Sequence, residues 1–202
     1  MKPVAAIAVV DFREIPAGIA ATDAMVKCAP IALVRSGSVT GGRFLTLVGG
    51  SPAAVEEAVK AGLEAGGEAV LDHVLLADVH PHLLAGIQGA RQAPRGALGV
   101  LETDTAAAAV RAAERALKGA HVELSEIRLA DTGLAGKGLA VLAGELHDVE
   151  AAVELAAAEL ASRGLGLRVR VIAGPHGATL ARLASATRFD SAPLLELGGE
   201  VG

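Results

Sequence analysis

The chain is written twice. AIAVVDF (Ala6–Phe12) stands over ALGVLET (Ala97–Thr103), and the register continues without a gap through AGIAATDAMVKCAPI against AAVRAAERALKGAHV. Alanine is so abundant that matched alanines carry little weight. The weight rests on Asp11 opposite Glu102, Asp23 opposite Glu114 and Lys27 opposite Lys118. After three extra residues in the second copy, FLTLVGGSPAAVEEAV (Phe44–Val59) aligns with GLAVLAGELHDVEAAV (Gly138–Val153), setting Gly50 against Gly144 and Val55 against Val149. Further on, DHVLLADVH, ending at His80, lies opposite RVRVIAGPH, ending at His176. A repeat of this length bears on domain count and symmetry together, and 202 residues are enough for two units of ordinary size.

Each copy reads as the same order of elements. A β-rich run (Val4–Val10; Leu98–Leu101) precedes a helix whose apolar residues, such as Ile19, Ala20, Met25 and Val26, recur at three- and four-residue spacing. Then come a strand (Ile31–Arg35; Val122–Leu129), a Gly-rich hairpin loop and another strand (Phe44–Val48; Leu139–Ala143). Ser51-Pro52 marks the start of a second helix, with Pro in its first turn. A last strand (Ala69–Leu76; Leu167–Ile172) closes the unit. The order β-α-β-β-α-β predicts an α+β chain of two fused ferredoxin-like domains, each an antiparallel sheet with helices on one face. The expected boundaries are residues 1–88 and 96–186, joined by the polar, Gly- and Pro-interrupted QGARQAPRG (Gln88–Gly96). Residues 187–202 form a tail, read either as partly disordered or as packed locally through Leu194 and Leu195, and no role is assigned to it.

Composition excludes several classes. With three Phe, no Trp, no Tyr and a net charge of −5, the chain lacks the stacking platforms and excess cations of nucleic-acid binders. Apolar residues make up 52 %, yet a charged residue interrupts every run before it reaches membrane-spanning length. MKPVAAIAVVDF has a short apolar stretch like a signal-peptide core, but Asp11 and Arg13 follow at once and the stretch recurs later as a strand. The lone Cys28 supports neither an internal disulfide nor a multi-cysteine metal site, which fits a reducing cytoplasm.

The doubled pattern is a helix ending VKCAPI or LKGAHV, a strand, a Gly-rich loop, a strand, a Val-Glu-bearing helix, a strand and a late His. It resembles the bacterial microcompartment shell domain over nearly the whole chain. Within that family it looks most like the tandem members, and among those like the single-layer trimers that include the iron–sulfur subunit of propanediol-utilising compartments. The loops SVTGGRF (Ser38–Phe44) and TGLAGKG (Thr132–Gly138) carry that likeness. The resemblance implies a homotrimer of six domains forming a pseudohexameric disc. Such discs tile with other shell hexamers and pentamers around encapsulated enzymes, within the cytoplasm.

The resemblance also places particular residues. Thr40, Gly41 and Gly42 of the first loop and Leu134, Ala135 and Gly136 of the second would line a central pore for metabolites. Small residues suit such a ring, where backbone from several chains approaches closely, and exposed amides there can meet anionic metabolites. From the loops alone, ordinary hairpin turns are the better reading, and only the duplication and the family pattern reverse that order. Lys27 and Lys118 match the family's edge lysine; taken singly, they are also ordinary helix-end cations. Arg43 and Lys137 either bear on pore charge or are exposed strand-start cations. The family often has Arg two residues before the late His, and here Asp78 and Gly174 stand there, so edge packing is expected to differ.

The iron–sulfur subgroup carries its ligand Cys where this chain has Thr40, so no cluster, and no other metal or cofactor, is expected. Cys28 reads as a small core or boundary residue. GGRFLTLVGG lacks the Gly-Lys-Ser/Thr ending of a phosphate loop, and its glycines flank a strand. His73, His80 and His82 have no carboxylate or Cys beside them at a familiar metal spacing. No catalytic residue is assigned, and the chain reads as a structural protein, not an enzyme. The alternative is a ferredoxin-like regulator binding a small molecule between its domains.

Overall fold

The computed structural model describes residues 4–185, 187–190, 192, 195 and 197. The first repeat runs β1 (Ala6–Phe12), α1 (Ile15–Cys28), β2 (Leu33–Val39), β3 (Arg43–Gly50), α2 (Pro52–Gly66), a single 3₁₀ turn, β4 (Val70–Leu76) and α3 (Pro81–Ile87). The second runs β5 (Ala97–Thr103), α4 (Ala106–Gly119), β6 (Glu123–Leu129), β7 (Gly138–Gly144), α5 (Leu146–Ala161), β8 (Leu167–Ile172) and α6 (Gly177–Leu183). The sheets share one order, β2-β3-β1-β4 and β6-β7-β5-β8, with every neighbouring pair antiparallel. This is the ferredoxin-like arrangement.

Local chemistry sets the helix starts. Ser51 Oγ accepts from the Ala54 amide at 3.3 Å ahead of Pro52, and Thr105 Oγ1 accepts from the Ala108 amide at 3.1 Å. Periodicity did not announce α3 and α6, each only seven residues long. Both are capped by the late His: Nδ1 of His80 accepts from the His82 amide, and Nδ1 of His176 from the Ala178 amide, each at 3.2 Å. The repeated His is thus a helix cap. Burial, with His82 alongside, holds the His80 imidazole below its usual range, favouring the neutral form that can accept.

In the first domain, Ala6, Ala8, Val10 and Phe12 of β1 pack with Met25 of α1 and Val55 and Val59 of α2. The alternate residues Ile7, Val9 and Asp11 point to the opposite face, and yet all of β1 is buried. What covers that face is the second domain: Ile7, Val9 and Val74 share a core cluster with Ala107, Val110 and Leu117 of α4. Each domain's helices α1/α2 or α4/α5 lie on one side of their own sheet, while α4 also closes the far side of the first sheet.

Polar groups follow the same seam. Asp11 Oδ2 accepts from the Ala107 amide at 2.8 Å, in the first turn of α4. Beside it Asp72 Oδ2 accepts from the Thr105 hydroxyl at 2.5 Å, and Arg111 donates to the His73 carbonyl at 2.6 Å. At the far end of α4, Glu114 accepts from the His80 amide at 3.0 Å, and Lys118 donates to Glu114 and to the Asp78 carbonyl.

Burial pushes the Asp11 carboxyl up to about 7; the Ala107 amide opposes this and the neighbouring Asp72 charge adds to it. The folded state therefore keeps a proton that the unfolded chain, with an ordinary value of 3.8, has released. Stability contributed by this proton is complete below about pH 4 and is lost as pH rises through about 7. Asp11→Asn keeps an acceptor for Ala107 and removes the titration. Thermal unfolding should show the parent losing Tm between pH 5 and pH 8 relative to the variant; parallel curves would contradict the assignment.

Candidate functional site

The two Gly-bearing loops, ninety residues apart in sequence, lie against each other. The Thr40 hydroxyl sits 2.8 Å from the Ala130 carbonyl and 2.9 Å from that of Asp131, and it accepts from the Gly136 amide at 3.1 Å. The Thr40 amide also donates to Ala130 at 3.1 Å. From the first loop Arg43 reaches across to the carbonyls of Gly136 at 2.9 Å and Asp104 at 3.0 Å. Two side chains thus lace one loop to the other.

Close approach explains the small residues. A Cβ on Gly136 would fall 2.8 Å from the Arg43 guanidinium, and Gly136 has φ +86°. Ala130 and Ala135 hold left-handed φ of 54° and 50°, a conformation L-residues adopt at a cost of order 1 kcal/mol or more. Hydrogen bonds from Thr40 to Ala130 help to hold the second loop there.

Of the residues expected to line a pore, Gly41, Gly42 and Ala135 are exposed, Thr40 and Leu134 are half-buried, and Gly136 is buried under Arg43. The structure brings all six into one loop cluster. Arg43 is engaged with backbone, and Lys137 pairs with Glu102 at 2.8 Å. Lys27 is exposed, 2.5 Å from Asp23. Its counterpart Lys118 is bound into the seam between the domains and remains 40 % exposed. Thr40 carries no thiol, and its oxygen is committed to Ala130, Asp131 and Gly136, so the loop does not fit an iron–sulfur cluster.

His80 and His82 stack edge to face with centroids 5.2 Å apart, while His73 lies on β4. Among the described residues no group of three or more His, Cys, Asp or Glu could hold a metal ion. Cys28 is exposed, at the boundary and not in the core, 3.9 Å from the Glu57 carbonyl.

A cleft of about 810 Å³ opens between the domains, lined by Arg35, Leu47, Ile87, Arg91, Glu126 and Arg128 among others. Its charges mostly answer one another. Arg91 and Glu126 lie 2.7 Å apart, Arg128 and Asp131 2.6 Å, and Arg188 also pairs with Asp131. Those last contacts, with Thr187 bound to Arg128, tie the start of the tail to the second loop. Leu194 lies outside the described residues, and Leu195 is exposed. Among the described residues no helix is long and apolar enough to cross a membrane.

Two ferredoxin-like sheets in tandem, with their β2–β3 and β6–β7 loops side by side, define a class: the chain belongs to the BMC-domain family, whose model matches residues 6–79 and again 97–175. It is similar along most of its length to the bacterial microcompartment shell protein PduT of Citrobacter freundii, with 35 % identity over 85 % of this chain and 93 % of that one. The carboxysome shell protein CcmK2 of Synechococcus elongatus is 37 % identical over 39 % of this chain and 80 % of its own. A crystal structure of a microcompartment protein from Desulfitobacterium hafniense superposes with a TM-score of 0.73 at 35 % identity, covering 86 % of this chain and 97 % of that one. The family is one of structural shell proteins.

Thr40→Val keeps the shape and deletes the hydroxyl, leaving the buried Gly136 amide without its acceptor. Chemical denaturation should register a loss of about 1–3 kcal/mol. No change would mean that the loops are held by packing alone.

Proposed function

We propose that this protein is a structural shell subunit of a bacterial microcompartment that closes into a homotrimer of six domains around a central pore. One observation carries the reading. On α4 the residues Ala106, Val110 and Leu117 are 0 %, 0 % and 7 % exposed, and Val110 and Leu117 share one core cluster with Ile7, Val9 and Val74 of the first sheet. Their equivalents on α1, Ile15, Ile19 and Val26, are 37 %, 54 % and 45 % exposed. An apolar helix face left open in one repeat and covered in the other calls for a copy of the surface that covers it. The second sheet of another chain supplies that copy.

Contacts of this kind are head-to-tail, and they close into a ring when the rotation per domain divides a full turn. Six domains, hence three chains, is the closure the pseudohexagonal family pattern supports. In that ring each chain adds Thr40, Gly41 and Gly42 beside Leu134, Ala135 and Gly136, so the paired loops repeat around the axis as the pore lining. The exposed Gly41, Gly42 and Ala135 offer backbone groups to passing metabolites. Lys27 and Lys118 stand at equivalent helix ends, and the donors that the seam leaves unused, on a Lys118 side chain still 40 % exposed, serve contacts with neighbouring discs, which include other hexameric and pentameric shell proteins around encapsulated enzymes. The role is structural and selective, without catalysis.

The mass of the purified chain in solution tests this. Light scattering should give about 60 kDa, three times 20.1 kDa, and electron microscopy should show threefold particles with a central depression at the paired loops. A monomer at micromolar concentration, or particles with those loops on the rim, would overturn the proposal.

A further inference from the structure

The seam inside one chain is a template for the seam between chains, and it can be read contact by contact. Helix α4 maps onto α1, and the β4–α3 segment onto β8–α6, by the repeats themselves. The contact from Glu114 to the His80 amide becomes Asp23 to the His176 amide. The contact from Lys118 to the Asp78 carbonyl becomes Lys27 to the Gly174 carbonyl. Both backbone contacts survive the mapping because the helix side keeps its charge, whereas the Asp78 carboxylate, 3.6 Å from Lys118, has no counterpart at Gly174.

The third polar contact changes on both sides at once. Within the chain, Thr105 at the helix N-cap donates to Asp72 at 2.5 Å. The equivalents are Glu14, the N-cap of α1, and Arg168, which pairs in register with Glu102 as Asp72 does with Asp11. A neutral donor facing a carboxylate has become a carboxylate facing a guanidinium. Complementarity is conserved while its chemistry is inverted.

Each partner is available. Glu14 is exposed and makes no cap bond of its own. Arg168, with its side chain 62 % exposed, is oriented by Asp104 at 2.8 Å and Glu102 at 3.6 Å. Two further template contacts do not carry over: Asp11 to the Ala107 amide maps to Glu102 and Pro16, and proline has no amide to give, while Arg111 to the His73 carbonyl maps to Ala20 and Val169, and the alanine side chain has no donor. Glu102 is instead neutralised by Lys137 at 2.8 Å.

We propose that an ion pair between Glu14 of one copy and Arg168 of the partner subunit closes each chain-to-chain seam and sets which sheet α1 accepts. Against a first sheet, Glu14 would meet Asp72, a like-charge contact that disfavours α1 displacing α4 from its own sheet. Two chemically distinct seams therefore alternate around the ring, a hydrogen-bonded one within chains and an ionic one between them. This rests on the trimer reading above, and the test separates the two.

The full-length parent, Glu14→Lys, Glu14→Gln, Arg168→Gln and the double Gln variant are followed by analytical ultracentrifugation over a concentration series in 50 mM and 1 M NaCl. Circular dichroism verifies folding, which the exposed Glu14 is placed to tolerate. Glu14→Lys should raise the half-assembly concentration about tenfold or more at low salt, with most of that gap closing at 1 M. Each single Gln variant should raise it about threefold, and the double variant no further than the weaker single, because the pair is one interaction. A trimeric parent with additive Gln effects, or with a Glu14→Lys variant that assembles like the parent, overturns the ion pair and leaves the trimer standing. A monomeric parent overturns the trimer, and the pair with it.

Discussion

A four-stranded sheet has two faces, and the helices of its own repeat can cover only one. Everything else in this molecule follows from how the other face is closed. On the first sheet Ile7, Val9 and Val74 would stand in water, and α4 of the second domain removes them from it, receiving Val110 and Leu117 in return. Each such side chain contributes on the order of 1.5–3 kcal/mol on burial. Helix α4 is consequently buried on two sides, which its composition permits: Ala106, Ala107, Ala108, Ala109, Ala112, Ala113 and Ala116 let two sheets approach one helix closely.

Polar groups give this seam its direction. A helix start presents unpaired amides, and Asp11 meets one of them from the floor of the sheet. Enclosure makes that carboxyl reluctant to ionise, with Asp72 nearby as a second reason. At the other end of α4, Glu114 and Lys118 take the amide and carbonyl of the segment that leads into α3. The helix is clamped at both ends, so its crossing over the sheet is set by hydrogen bonds as well as by apolar contact. The paired loops then fall side by side as a result, and Thr40 and Arg43 fasten them.

The repeats share a fold without sharing surroundings. In α1 the apolar period read from the sequence mixes two faces: Met25 packs into its own domain, while Ile19 and Val26 look outward. Periodicity reports which residues avoid water. It does not report whether the surface that shelters them belongs to the same chain.

Much was legible beforehand. The order of eight strands and four long helices, the sheet topology and the small residues of both loops followed from the repeat, since strands alternate, helices recur and turns demand glycine. The helices α3 and α6 were not, because seven residues hold too few turns to show a period, although Pro81 after His80 was a usable signal. Thr40 is legible as a turn residue from the glycines that follow it, but its grip on Ala130 and Gly136 spans some ninety residues and exists only after both sheets are stacked. In the repeat alignment Asp11 and Glu102 are equivalent acids. Only folding puts Asp11 against a helix terminus and leaves Glu102 to Lys137. The sequence by itself determined that there are two like domains, because local periodicity and repetition are written in residue order. The tertiary structure alone decided which faces are covered, because burial depends on what the rest of the chain brings near.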